Sequence, residues 1–479
     1  MDILTQTFPV EILERIFLYC VDYGAHTRPS RAPILLTRIS RSWRAVALST
    51  PRLWSHLCLS DVPTNKFLYF ASSLKKWLFL SKSVLLDLCL RISEDRPRDQ
   101  HIFLVYMLIL CAHSARWQYI DVKLPYIYIF RTFCSALEQC RSLPLLEIFQ
   151  LDAPCDPWTP GPSGLSILES APRLCRALIT PYALSSWSLP WSQLTHLDMR
   201  SHKDCHYNPP HLDLGLVIES LSECANLDVL CFDGVFYPLT GIHETSKSVV
   251  LPKLRRLDLR MRVSEAQGKM DHGFLSPRLF DCFTHLILPK LRVLLLSIDL
   301  PYGAITWDES FLRFFTHFSG SLTHLAIDHC PLPHKLAVDI LARLPNLRTL
   351  RSMPKRLYDS QPLLLDALTI HPTPDGAEPL APKLSHMLIS RTTTRARDEH
   401  VFHKELVSMV KSRWRATPDA VNGARSLKRL SLDQEVWRRM RDLSPKEYHH
   451  IAKCIKEGLE LWLINVRDRT MVARMFLEW

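Results

Sequence analysis

LRRLDL, residues 254–259, and LTHLAI, residues 322–327, share one pattern, L-x-x-L-x-L. Apolar residues alternating with polar ones after the second leucine give the period of two expected of a strand with one buried face. With apolar substitutions the pattern recurs as LLDLCL from Leu85, WQYIDV from Trp117, LEIFQL from Leu146 and LTHLDM from Leu194. It continues as LDVLCF from Leu227, LRVLLL from Leu291, LRTLRS from Leu347, LSHMLI from Leu384 and LKRLSL from Leu427, with a degenerate copy, LCRALI, from Leu174. Successive copies begin 20 to 43 residues apart. Helix-like stretches lie between them. PHKLAVDILARLPNL (333–347) sets Leu336, Ile340, Leu341 and Leu344 on one face, and SFLRFFTHFSGSL (310–322) does so with Phe311, Phe314, Phe315 and Phe318. No single strand–helix unit can bury both of its elements, but stacked units can. The expectation is a solenoid.

Composition narrows the function. The chain has 479 residues, 47% of them apolar and 22% charged, as in an ordinary globular protein. Thirteen glycines against 33 prolines disfavour glycine-rich phosphate loops and favour many short turns. There is no GxSxG, P-loop, HExxH or paired-cysteine zinc signature, and His449-His450 and the THL segments lack ligand spacing. The expectation is a protein that is not an enzyme and holds no cofactor or metal. Fourteen cysteines without a CxxC pair, and no signal peptide, point to reduced thiols in the cytoplasm or nucleus. The longest apolar run, Ile102–Ala112, would span about 16 Å as a helix, too short for a ~30 Å hydrocarbon layer. No membrane partner is expected.

The N-terminal block stands outside the repeat. FPVEILERIF (8–17) and, some twenty residues on, ISRSWRAVALSTPRLWSHL (39–57) are two apolar blocks separated by the polar insert Asp22–Ala32. In order and spacing they resemble an F-box: Phe8, Pro9, Glu11, Ile12, Leu13, Ile16 and Phe17 match its first half, and Ile39, Arg41, Trp43, Ala47, Pro51, Leu53 and Trp54 its second. The sequence departs from the F-box pattern at Phe8, which replaces a leucine, at Ser40, which replaces a cysteine, and in the insert. The resemblance implies docking on the Skp-family adaptor of a cullin (SCF-type) ubiquitin ligase. Phe8, Pro9, Ile12, Leu13 and Ile16 would face the adaptor, and Phe17, Ile39, Trp43, Leu53 and Trp54 would form the F-box core. Residues 1–57 would be a short all-helical F-box and 58–479 an irregular leucine-rich-repeat solenoid with a C-terminal helical cap. The whole would be an α/β chain with parallel strands inside and helices outside. This layout is similar to that of fungal F-box proteins. It implies substrate recruitment, the alternatives being a leucine-rich scaffold with a degenerate F-box and, less favoured, a basic nucleic-acid binder.

A protein substrate would then meet the polar positions that flank the inward leucines. The candidates are His196, Asp198 and Arg200, then Arg256, Asp258 and Arg260, then His324, Asp328, Arg351 and Arg429, with Asp87, Arg91 and Asp433 in equivalent places. Mixed, closely spaced charge suits a partner of complementary charge. From Lys383 to Trp479 there are 20 Lys and Arg against 12 Asp and Glu, a net +8 of the chain's +11. Tight groups at Arg391, Arg395 and Arg397, at Lys411, Arg413 and Arg415, and at Arg438, Arg439 and Arg441 suggest either a solvated helix face or attraction to an acidic partner. Near the end, Ser444, Pro445 and Glu447 read as a capping box. LELWLI (459–464) reads as a last strand and 469–479 as a closing helix.

Overall fold

A short turn repeated along the chain leads into six of the strands. Leu251-Pro252-Lys253-Leu254 closes with the Leu254 amide donating to the Leu251 carbonyl at 3.3 Å. The same closure joins Leu143 to Leu146, Ala171 to Leu174, Leu288 to Leu291, Leu344 to Leu347 and Ala381 to Leu384, each across a proline. Proline's fixed φ suits the second position of such a turn. Both apolar ends of each turn are buried. The chain then enters its strand, donating to a carbonyl of the preceding repeat, as Arg255 and Arg256 do to Asp228.

The computed structural model describes residues 8–21, 30–60, 67–92, 100–154, 165–180, 187–200, 214–236, 248–263, 281–299, 309–328, 330, 332–353, 360–370, 379–389, 396–414 and 426–464. They fall in two compact units, Met1–Leu227 and Asp228–Trp479. The protein is α/β, with parallel strands and intervening helices in both.

In the first unit, six strands pair in parallel and in chain order: β1 His56–Ser60, β2 Leu86–Arg91, β3 Trp117–Lys123, β4 Ile148–Asp152, β5 Arg176–Ile179 and β6 His196–Arg200. β1 departs from the expectation: it begins inside the segment 1–57 read as helical, where WSHLCL (54–59) fits the strand pattern from Trp54. Before it come helices Val10–Cys20, Leu36–Ile39 and Arg41–Ser49 and the 3₁₀ turn Pro51–Trp54. Leu13 and Phe17 turn inward, and the Phe17 ring lies 4.8 Å from that of Trp43. Ser40 caps its helix by accepting from the Trp43 amide at 3.2 Å. Trp54 donates to the Ala47 carbonyl (2.9 Å), and Trp77, on helix Phe67–Leu80, donates to the Trp54 carbonyl (2.9 Å). These bonds tie the N-terminal helices to the first repeat.

In the second unit the parallel ladder runs β7 Val229–Phe236, β9 Arg256–Val263, β11 Val293–Asp299, β12 His324–Asp328, β13 Thr349–Met353, β14 His386–Ile389, β15 Arg429–Asp433 and β16 Glu460–Ile464. Two-residue strands β8 Val249–Val250 and β10 Leu286–Ile287 pair separately. Phe311, Phe314, Phe315 and Phe318 are all buried, their rings meeting mostly edge to face at 5.0–5.7 Å.

Two C-terminal features depart from the sequence reading, and a third, the segment 469–479, lies outside the described residues. Ser444 precedes helix Pro445–Lys456, but its hydroxyl is engaged by His400 and His403 (3.0 and 2.9 Å) and caps nothing. Arg413, read as part of a basic surface group, is only 1% exposed. Its guanidinium donates to the carbonyls of Leu368, Ala381 and Leu380 at 2.7, 3.1 and 2.6 Å. It thereby satisfies the end of helix Ser360–Leu368 and the apolar–proline turn after it. Burial lowers its pKa to about 10, still charged at neutral pH. Arg413→Gln should therefore cost roughly 3–5 kcal/mol, because two buried carbonyls and one half-buried carbonyl lose a charged donor. Urea unfolding checks this; a loss below about 1 kcal/mol would contradict the assignment.

Candidate interaction surfaces

The first surface is on the N-terminal helix Val10–Cys20. At about 100° per residue, Ile12, Ile16 and Tyr19 fall within an arc of roughly 60°. They are 39%, 40% and 92% exposed. Phe8 and Val10 before them, and Leu35 and Ile39 in the next helical stretch, are also exposed apolar residues. Pro9 is exposed and directly precedes the first helical residue. Two assignments change. Leu13, read as outward, is buried beside Phe17 in the arc that turns from solvent. Ile39, read as core, is 51% exposed at the end of a one-turn helix, while Leu36 takes the inward position. Phe17, Leu53 and Trp54 are interior as read, and Trp43 is half-buried against Phe17.

The second surface is the polar face of the strands. In the first unit most of its charges are already paired. His56 Nε2 meets Asp87 at 2.7 Å, Arg91 meets Asp121 at 3.1 Å, and Lys123 meets Asp152 at 3.3 Å. Arg200 grips Asp198, with Nε at 2.7 Å. Exposed pairs of this kind contribute little to stability, and they leave the face close to self-neutralised.

The second unit behaves differently, because apolar residues interrupt its polar face. Register places Asp258, Leu295, Ala326, Arg351 and Leu388 in one row across β9, β11, β12, β13 and β14. All five are buried, Asp258 at 5% and Arg351 at 8% exposure. Arg260 donates to both oxygens of Asp258 (3.2 and 3.0 Å), and Arg351 meets Asp328 Oδ2 at 2.6 Å. Asp328 Oδ1 is buried and has no hydrogen-bond partner among the described residues. Burial pushes the Asp328 carboxyl up to about 6 against the pull of Arg351 and Arg260. The dry surroundings also lower the Arg351 pKa, which Asp328 counters. Asp258, Arg260, Asp328 and Arg351 thus form one partly desolvated group on three strands, rather than four solvated points. Arg256 stands at the strand entry between Val229 and Val293. Arg429 is paired with Glu460 at 2.6 Å and stacked 4.0 Å over Trp462.

His196 and His324 follow a threonine, His386 a serine, and these hydroxyls fix the rings. Thr195, Thr323 and Ser385 each donate to a carbonyl of the preceding repeat (3.0, 3.1 and 3.3 Å). Their remaining role toward the adjacent Nδ1 atoms, at 2.9, 2.8 and 3.0 Å, is to accept. Each ring therefore carries its proton on Nδ1 when neutral. In sequence, the signal for this arrangement is the hydroxyl residue directly before each histidine.

The basic groups near the C-terminus are less available than their sequence suggests. Arg438 and Arg439 bind Glu435, and Arg439 also binds the buried Glu399 at 2.6 Å. Together Arg438 and Arg439 hold the Glu435 carboxyl down to about 2. Arg391, Arg395 and Arg415 lie outside the described residues. Among those residues no three His, Cys, Asp or Glu side chains are placed to hold a metal ion, and no helix is long and apolar enough to cross a membrane.

These features define an α/β protein with parallel strand ladders, an exposed apolar helix face and a partly dry charged strand face. No family model matches the chain, and no curated protein matches it.

Burial, followed by the positive field of Arg429, lowers the His386 pKa to about 4. The folded state thus resists a proton that the unfolded chain accepts near pH 6.5, so this stabilisation is full above that value and is lost as pH falls toward 4. His386→Asn should therefore lose less stability than the unaltered chain between pH 6.5 and 4.5, as read from urea midpoints. Parallel curves would show that His386 is not held neutral.

Proposed function

We propose that this chain recruits protein substrates to an SCF-type cullin ubiquitin ligase. Its N-terminal helices would dock on a Skp-family adaptor, and its strand units would hold the substrate. The observation that carries this reading is the division of labour on helix Val10–Cys20. Leu13 and Phe17 anchor it to the chain, while Ile12, Ile16 and Tyr19 stay outside on the neighbouring arc. Fully burying one such side chain is worth about 1.5–3 kcal/mol, so a partner covering several of them gains a substantial contact. These residues lie within the two blocks that resemble an F-box, and Ser40, a departure from that pattern, still starts its helix by capping Trp43. The strand units would be irregular leucine-rich repeats, a reading supported by the turn–strand–helix phrase recurring in both.

The test is retention of a purified Skp-family adaptor by the full chain. Ile12→Asp combined with Ile16→Asp should weaken retention at least 100-fold, because desolvating a charge at the contact costs several kcal/mol. Thermal stability should change little, since both side chains are exposed. Failure of the unaltered chain to retain the adaptor, or undiminished retention by the double variant, would refute the proposal.

A further inference from the structure

The residues just before β9, β11, β12, β13, β14 and β15 fall in a column fixed by backbone bonds. The Arg292 amide donates to Arg255, Thr323 to Arg292, Arg348 to Thr323, Ser385 to Arg348 and Lys428 to Ser385, all at 2.8–2.9 Å. Arg255, Arg292, Arg348 and Lys428 are exposed. Lys253 and Lys290, also exposed, lie two residues earlier in their turns. The first unit supplies an internal comparison. Its corresponding column, built by the same bonds, reads Gln118, Glu147, Cys175 and Thr195. The repeat itself therefore does not demand cations at this position; they belong to the second unit. Two neighbours register the field: the Arg348 charge adds to burial in lowering the His324 pKa, and Lys428 does so at His386.

We infer that this column is a docking rail for an extended, acidic segment of a partner protein. Asp228 already shows the chemistry on a small scale, sitting 3.4 Å from Arg255 at the start of the column. Guanidinium groups take carboxylates through paired N–H donors, whereas the Thr323 and Ser385 hydroxyls are spent on carbonyls and histidines. From Arg255 to Lys428 there are five inter-strand steps, about 24 Å at ~4.8 Å each, which matches roughly seven residues of extended peptide. Carboxylates are favoured over single-stranded nucleic acid because base stacking needs free aromatic faces. Trp462 on β16, in the second polar row from the column, already holds Arg429 over one face at 4.0 Å. The inference deepens the substrate-recruiting function by naming a substrate class, but its chemistry does not require adaptor docking.

The experiment measures fluorescence anisotropy of a labelled twelve-residue peptide, Asp alternating with Ser, on the full chain without adaptor. Arg255→Glu, Arg292→Glu and Arg348→Glu together should weaken capture at least tenfold and flatten its dependence on salt between 50 and 300 mM. Arg173→Glu with Arg176→Glu, both exposed in the first unit, should leave capture unchanged. Circular dichroism verifies that each variant is folded. No capture by the unaltered chain, equal loss in both variants, or tighter binding of a single-stranded oligothymidine than of the peptide would overturn the inference. Adaptor retention is read separately, so a failed rail and a failed docking helix give different results.

Discussion

The interaction on which much of the repeat rests is the buried apolar–proline–x–leucine turn at the mouth of six strands, β4, β5, β9, β11, β13 and β14. Its two apolar ends are withdrawn from water, and the proline removes a backbone freedom that would otherwise have to be frozen. Once the turn is closed, the rest of the repeat is forced. The next two amides reach back to the preceding repeat, the strand enters in register, and its leucines fall on the buried side. Because register is fixed to the residue, the polar positions also stack in rows. A one-residue slip would carry Asp258 and Arg260 into the apolar layer that Leu257 and Leu259 now fill.

Rows of like position let a small change of residue type alter a whole surface. In the first unit the charges on the polar face meet one another in exposed or half-buried pairs. In the second, Leu295, Ala326 and Leu388 occupy polar-face positions, exclude water, and turn the same kind of charges into a desolvated group with a raised Asp328 pKa. Removing water strengthens each remaining charge interaction and raises the cost of an imperfect partner. Such a group selects by geometry and charge together. The solvated column at the strand mouths, by contrast, acts through its longer-range field.

Much of this was legible because period and burial are linked. All twelve hexapeptides carry strands, and the four-phenylalanine helix buries the face its spacing marked. Direction was harder. A helical wheel shows that Ile12, Leu13, Ile16 and Phe17 make an apolar arc, but not that its Leu13–Phe17 half meets Trp43 while the other half stays outside. Ile39 was misplaced for the same reason, since a single turn offers too few residues to define a face. Arg413 and Ser444 were misread because charge and capping patterns say nothing of long-range partners, here three carbonyls and two histidines. The strand at His56–Ser60 escaped notice because WSHLCL, which fits the pattern from Trp54, overlaps the block that resembles an F-box.

We propose that the helix anchored from one side by Leu13 and Phe17 offers its other side to an adaptor. The sharpest test is hydrogen–deuterium exchange of the full chain with and without a Skp-family adaptor. Docking through this helix predicts new protection concentrated in Val10–Cys20 and Leu36–Ile39, with the strands of both units unchanged. Protection appearing in the strands instead, or nowhere in the chain at saturating adaptor, would contradict it.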